Sequence, residues 1–255
     1  MIMKIYQTEF EKVKNEYLSF LKKKKIFKKK NIFFYENTIE KMKNWTNVDF
    51  NKTIKWYDKI RKLNKTKVTN IHLEKMKNWT YNKKKGVLYH NSGEFFHIEG
   101  KRITNSDREV KHWDQPFIKQ VGYNGGIIGL VRSNISGIPH YLIDAKYEPG
   151  NYNQIQISPS LQATYSNLNR VHLGQKPKVV KKYFSKNFKT IRKFWVTEDG
   201  GRLYLKRNLH WIIQYNGKKN VPGKTYRWMT LWELDKFIKM GHYVGPHLRS
   251  ILSLV

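Results

Sequence analysis

Seven short polar strings hold side chains with which this chain could move protons or grip an anion. They are HNSGEFF (residues 90–96), QPFIKQ (115–120), DAKYEPGN (144–151), QISPSLQATYSNLNRVHLG (156–174), TEDGGRLYLKRN (197–208), YRWMTLWEL (226–234) and LRSIL (248–252). Together they supply Glu and His for general acid–base catalysis, amide, hydroxyl and ammonium donors for a developing negative charge, and Arg forks for phosphate. Other chemistries drop out. The chain has no cysteine, hence no thiolate nucleophile, disulfide or Cys-containing zinc site. HExxH is absent, and His242 with His247 lacks a third ligand nearby. NVPGKT (220–225) fails as a phosphate loop because Lys218 stands where its first Gly belongs, with Gly217 one place too far out. GYNGGIIG (122–129) fails as a dinucleotide fingerprint at Asn124 and reads as a hairpin turn. No metal and no bound nicotinamide are expected.

In order and spacing the strings resemble the sugar-nucleotide 2,3-dehydratase family, whose members act on dTDP-4-keto-6-deoxyglucose. The specific part is EPGN followed by SPSLQATYSN and then VHLG. The likeness starts near Val48, is dense from about Ile71 and runs to the C-terminus. It implies a fold like that of the Nudix hydrolases, a homodimer and no cofactor. No Nudix box of clustered Glu residues is found, so diphosphate hydrolysis is not expected. Typical members carry two copies of this unit and this chain carries one, which implies that a second chain supplies the other in a two-fold dimer.

In such a substrate the C4 ketone makes the C3 proton removable, because the negative charge spreads onto O4. Loss of the C2 hydroxyl then yields an enol that becomes a 3,4-diketo-2,6-dideoxy sugar. The resemblance points to Glu148 and His172 for proton transfer, with His90 as a third candidate and base and acid unassigned among them. Ser92, Lys146, Asn151 and Gln162 are candidate donors to the enolate oxygen, and Arg170, Arg202, Arg207 and Arg249 candidate diphosphate ligands. Trp228 and Tyr165 offer faces for the base, Gln115 and Gln120 offer edge readers, and Thr164, Asn167, Lys206 and Asn208 complete the expected substrate-binding set. Each has a plainer alternative: Glu148 a turn carboxylate paired with Lys146, the histidines satisfied strand-end residues, the arginines surface ion pairs, Trp228 core, and the two glutamines strand-end caps.

These strings need elements to hold them. At 255 residues, 39% hydrophobic and 15% aromatic, the chain suffices for one sizeable domain plus a helical appendage. Residues 1–47 are expected to be a Lys-rich helical segment, with Phe10, Val13, Tyr17, Leu18 and Leu21 at helical spacing and KKKKIFKKK (22–30) as a solvated face. Residues 48–255 are expected to be the catalytic domain. The heptapeptide EKMKNWT occurs at 40–46 and 74–80 and is read as two short helices. Beyond residue 86, strands are expected at 94–99, 117–122, 127–132, 139–145, 153–158, 193–197, 202–206 and 210–215. Closing helices are expected from Thr230, with Glu233 completing a capping box, and over residues 246–254. The class is α+β, with a mixed, mainly antiparallel sheet flanked by helices.

The formal net charge of +31 favours a polyanion partner taken by itself. Only ten of the 50 basic residues are Arg, however, and the Lys comes with abundant Asn and Ile, as biased codon usage would produce. A basic nucleic-acid-binding protein without catalytic activity is the alternative, though no recognisable nucleic-acid motif accompanies the charge. No apolar run suits a signal peptide or a membrane span, and a cytoplasmic protein is expected.

Overall fold

Ser136 and Gly137 both take positive φ, 51° and 80°, the conformations a two-residue hairpin turn needs to match the twist of its strands. The hairpin they close lies at the centre of the larger of two sheets. The computed structural model describes residues 2–122, 125–170 and 175–255. Its helices are α1 (Ile2–Lys23), α2 (Ile32–Met42), α3 (Phe50–Leu63), α4 (Tyr165–Leu168), α5 (Lys178–Tyr183), α6 (Leu231–Lys239) and α7 (Pro246–Leu252). Its strands are β1 (Trp79–Asn82), β2 (Val87–His90), β3 (Phe96–Ile103), β4 (Trp113–Gln120), β5 (Gly126–Ile135), β6 (Ile138–Tyr147), β7 (Ile155–Pro159), β8 (Leu161–Thr164), β9 (Phe188–Thr197), β10 (Arg207–Tyr215) and β11 (Tyr226–Met229).

The larger sheet runs β11-β6-β5-β10-β9, with β7 also pairing β6 and β8 also pairing β5. Its pairings are antiparallel except for β5 with β10. Successive side chains on a strand point to opposite faces, and here both faces are covered. Leu130, Tyr141, Ile143 and Ile212 enter a core with Tyr57 and Ile60 of α3, Leu234 and Phe237 of α6, and Leu248 and Ile251 of α7. Val131, Leu142 and Ile213 enter a second core with Val179 and Tyr183 of α5. Each such side chain contributes about 1.5–3 kcal/mol through burial, which is why β5 and β6 read as nearly continuous apolar runs. The second sheet, β1-β2-β3-β4, is antiparallel throughout. It is joined to the 198–206 loop by Ile118 N–H to Arg202 O (3.0 Å) and Tyr204 N–H to Ile118 O (2.9 Å).

The α+β class with a mixed, mainly antiparallel sheet is therefore what the chain adopts. Thr230 and Glu233 form the expected capping box at the start of α6. Three details differ. Residues 202–206 are a tight loop and not a strand: Asp199 accepts from Gly201 N–H through its side chain and from Arg202 and Leu203 N–H through its carbonyl, curling the Gly200-Gly201 segment back. The second EKMKNWT is not a helix, since Asn78 turns at φ 65° and Trp79 and Thr80 begin β1. In the first copy Trp45 is buried against Phe10 and donates to Ile39 O (2.7 Å). Identical local sequence thus takes two forms because only one copy meets a core. Finally, α3, α4, α5, β1, β2, β8 and β11 were not anticipated; all but α3 are short, with six residues or fewer.

The N-terminal segment behaves in two ways. The lysines of the 22–30 run are exposed, as a solvated face requires. Helix α2, in contrast, is fastened to the sheet. Arg132 of β5 donates to Glu40 Oε1 (2.7 Å), Glu36 Oε2 (3.1 Å) and Gln214 Oε1 (2.7 Å), and Tyr141 donates to Glu40 Oε2 (2.9 Å). Burial opposes the Arg132 charge, but the carboxylates outweigh it and hold the guanidinium above its ordinary value. Phe33 joins the main core. A segment packed this way is not a detachable appendage, and removing residues 1–40 is expected to cost the domain its fold. The sharper test is Glu40→Ala, which leaves a buried guanidinium short of its nearest carboxylate. It should lower the urea-unfolding free energy by about 3–5 kcal/mol, whereas a loss under about 1 kcal/mol, the scale of a surface pair, would contradict the buried latch.

Candidate active site

A cleft of about 340 Å³ opens where the ends of β6, β8 and β10 meet the 198–206 loop and the start of α7. Sequence and backbone explain how its side chains arrive there. Lys146 is the penultimate residue of β6, and Glu148 begins the turn that follows, pinned by Glu148 N–H to Gln154 O (2.9 Å) and Asn151 N–H to Glu148 O (3.1 Å). Gln162 and Thr164 alternate along β8 and so share a face. Thr164 caps α4 by accepting from Asn167 N–H (3.3 Å), which places Asn167 at the rim. Lys206 and Asn208 flank the first residue of β10, held in place by the parallel pairing of that strand with β5.

Two polar clusters line this space. In one, Glu148 Oε1 accepts from Lys146 Nζ (3.0 Å) and Gln162 Nε2 (2.7 Å). The turn carboxylate is therefore paired with Lys146, and the same pairing holds it in the cleft. In the other, Lys206 Nζ donates to Gln120 Oε1 and to Asn208 Oδ1 (3.0 Å), Asn208 Oδ1 also accepts from Gly126 N–H (2.9 Å), and Asn208 Nδ2 donates to Glu198 Oε1. Burial draws the Lys206 ammonium below its ordinary value near 10.5, against the pull of Glu198. His247 Nδ1 lies 3.8 Å from Glu198 Oε1. Beneath them His210 contacts Ser250 Oγ through Nε2 (3.0 Å), and burial lowers its pKa.

Of the residues anticipated from sequence, Lys146, Glu148, Gln162, Thr164, Asn167, Lys206 and Asn208 converge on this cleft, and Gln120 reaches it through Lys206. A wider cleft of about 750 Å³ adjoins it, sharing Glu198, Leu203 and Lys206 and adding Phe117, Lys119, Tyr204 and Arg207. Arg207 lies over the Trp195 ring at 4.7 Å. The other anticipated residues are placed elsewhere. His90 contacts Ser92 Oγ (2.8 Å) and packs on Phe95, which itself lines the cleft, so it stands one side chain behind the wall, with Ser92 exposed beside it. Gln115 donates to Gly201 O (2.8 Å) and Arg202 is exposed on the same loop. Asn151 belongs to the turn after Glu148, Tyr165 opens α4, and Arg170 is exposed at φ 60°. Trp228 is half-buried against the second core: it packs on Tyr183 and donates to Lys219 O (2.7 Å). Arg249 lines a separate groove with Lys41 and Leu234. His172 lies outside the described residues.

Glu198 and His247 are members of the site that sequence reasoning missed, along with Phe95 and Phe96 on its wall. Glu198 stood inside a noted string, overshadowed by the arginines after it. His247 was considered only as a metal ligand. Among the described residues no three of His, Asp and Glu gather as a metal-holding group, and no helix is long and apolar enough to cross a membrane.

Comparisons with known proteins identify the family. Residues 50–255 match the family model described as NDP-hexose 2,3-dehydratase. Three curated relatives carry the name dTDP-4-dehydro-6-deoxy-alpha-D-glucopyranose 2,3-dehydratase. The one from Amycolatopsis orientalis is 31% identical over 206 residues, 78% of this chain and 43% of its own length. Those from Saccharopolyspora spinosa and Streptomyces violaceoruber are 29% and 28% identical, covering 75% and 78% of this chain and 39% and 44% of theirs. The chain thus spans well under half the length of these relatives. Among solved structures, a Nudix hydrolase from M. smegmatis, RenU, aligns at 12% identity with a TM-score of 0.32, over 61% of this chain and 97% of that one.

The buried cation offers a check that needs no substrate. Because Lys206 is held below 10.5 in the folded chain, the unfolded chain binds more protons in the window just beneath that value, and the Lys206 contribution to stability grows as pH rises through it. Carbon-13 NMR of the Lys206 side chain, identified by its loss in Lys206→Met, should show a midpoint below 10.5. A midpoint at or above the ordinary value would mean that the ammonium is not desolvated.

Proposed function

Because the chain belongs to the NDP-hexose 2,3-dehydratase family, we propose that it is a hydro-lyase that removes water across C2 and C3 of a nucleotide-linked 4-keto-6-deoxyhexose, giving a 3,4-diketo-2,6-dideoxy sugar. The observation that carries this is the family match over residues 50–255, and the names of the curated relatives make dTDP the expected nucleotide. The reaction needs a base at C3 and a cation or donors at O4, where charge develops. Glu148 is proposed as the base, since Lys146 and Gln162 both occupy Oε1 and orient the carboxylate. Lys206 is proposed to face O4: two of its three donor positions are taken by Gln120 and Asn208, which leaves one for the enolate. A preorganised cation in a partly buried site acts on developing charge more strongly than it would in water.

The nucleotide half is proposed to extend into the wider cleft, where Arg207 and Lys119 suit the diphosphate and Tyr204 and Phe117 suit a flat base. Proton transfer and electrostatics suffice for this elimination, so activity is proposed to survive chelation and to need no nicotinamide. The working unit is proposed to be a homodimer in the cytoplasm, and sedimentation at micromolar concentration should give the mass of two chains, with a lone monomer contradicting the pairing.

The direct assay is incubation with dTDP-, GDP-, UDP- and CDP-linked 4-keto-6-deoxy sugars, following loss of one water by mass. Turnover is expected with the dTDP sugar. Thermal stabilisation by oligonucleotides but by no nucleotide sugar would instead favour the nucleic-acid reading. Glu148→Gln should lower kcat by about 10²- to 10⁴-fold with nucleotide affinity within a few-fold. Arg207→Ala should do the reverse, weakening binding by about 1.5–3 kcal/mol for a lost charged hydrogen bond. Equal effects of both variants on kcat and on affinity would remove the division of labour.

A further inference from the structure

The elimination has a second proton requirement, since a hydroxyl departs C2 far more readily as water. Glu148 and Lys206 are already engaged in the proposed scheme, whereas Glu198 and His247 line the same cleft with no role in it. We infer that His247 is the acid that protonates the leaving C2 hydroxyl and that Glu198 positions it, an assignment that rests on the dehydratase reading.

The geometry is specific to this pair. His247 follows Pro246 at the start of α7, where Gly245 N–H to Ile157 O (3.0 Å) ties the helix entry to β7. Its Nδ1 faces Glu198 Oε1 at 3.8 Å, and the two side chains are 23% and 18% exposed. Glu198 is held in turn by Asn208 Nδ2 and, through its own backbone N–H, by Lys206 O (3.0 Å). Glu198 thus borders the Nδ1 edge of the ring at an ion-pair separation and limits where the ring can turn. Nε2 makes no hydrogen bond among the described residues, so it is the nitrogen available to a ligand. The titratable groups around the ring are Glu198 and Lys206 at the two ends of the loop, His210 on β10 and Glu148 across the cleft.

The steps balance. Glu148 takes the C3 hydrogen as a proton, and the electron pair of that bond shifts so that charge rests on O4. The pair then returns to form the C2–C3 double bond as the C2–O bond breaks, and the hydroxyl leaves with the Nε2 proton as water. C3 keeps its hydroxyl, and tautomerisation moves that proton to C2. Glu148 releases its proton to solvent and His247 regains one, so no oxidant or reductant enters.

Exchange of the C3 hydrogen with deuterated solvent separates the two proton transfers. His247→Asn should lower the elimination kcat by about 10²- to 10⁴-fold while C3 exchange and KM stay within a few-fold. Glu198→Gln should lower the elimination kcat while C3 exchange and KM stay within a few-fold, a split that a merely structural role would not give. His172→Asn, made in parallel, should leave elimination within a few-fold. Parent-like elimination in His247→Asn, exchange and elimination falling together in Glu198→Gln, or selective loss of elimination in His172→Asn would each overturn the assignment. If His247→Asn does not fold, His247→Gln and the split of kcat from exchange in Glu198→Gln decide. An unmutated protein that dehydrates no nucleotide-linked 4-keto sugar sinks the parent reading as well, whereas an active one with an active His247→Asn sinks only this assignment.

Discussion

Asn208 is 4% exposed and satisfies three partners from three parts of the chain: Gly126 N–H at the start of β5, Lys206 Nζ, and Glu198 across the loop. A buried amide is tolerated only when its hydrogen bonds are made, so this one dictates that the first residues of β5 and β10 stay side by side and that the 198–206 loop folds back over them. On the cleft wall, Glu198 and Lys206 depend on that closure. Gly126 has no room for a side chain there, since a Cβ would meet Ala163 O at 2.6 Å and Asn208 Oδ1 at 3.1 Å. Gly126 thus has a packing reason, namely close approach of its backbone to Ala163 and to an asparagine.

Around this junction the fold divides its labour. The β5–β6 hairpin is buried on both faces and provides rigidity, with Arg132 drawing α2 onto one side and Tyr183 of α5 filling the other. The polar residues sit where those strands end. Side chains at strand ends on a rigid sheet are positioned by packing they do not share, so Glu148 can be tuned by Lys146 and Gln162 while the core beneath stays apolar.

The two halves of the problem were unequally legible in the sequence. The central strands and the α6 capping box were readable because alternation, β-branched runs and Thr-x-x-Glu are local signals. Lys146, Glu148, Gln162, Lys206 and Asn208 were findable because they fall in strings that resemble a family. The partnership of Glu198 with His247 was not, because 49 positions separate them and only the parallel β5–β10 pairing and the packing of α7 bring them together. Trp228 and Arg249 show the reverse error. Their types suit a ligand, but one packs against a core and the other faces a different groove. The 202–206 strand failed for a local reason, since Asp199 with two glycines makes a turn before the apolar residues can extend.

The account stands or falls on where the sugar ring lies. The most direct measurement is a crystal structure with an unreactive substrate analogue, a nucleotide-linked 4-keto sugar lacking the C2 hydroxyl. The account predicts the ring between Glu148 and Lys206, with C3 toward the carboxylate, O4 toward the ammonium and the diphosphate running toward Arg207. Density for the analogue in the groove beside Arg249, or along the lysines of residues 22–30, with the cleft unaltered, would contradict it.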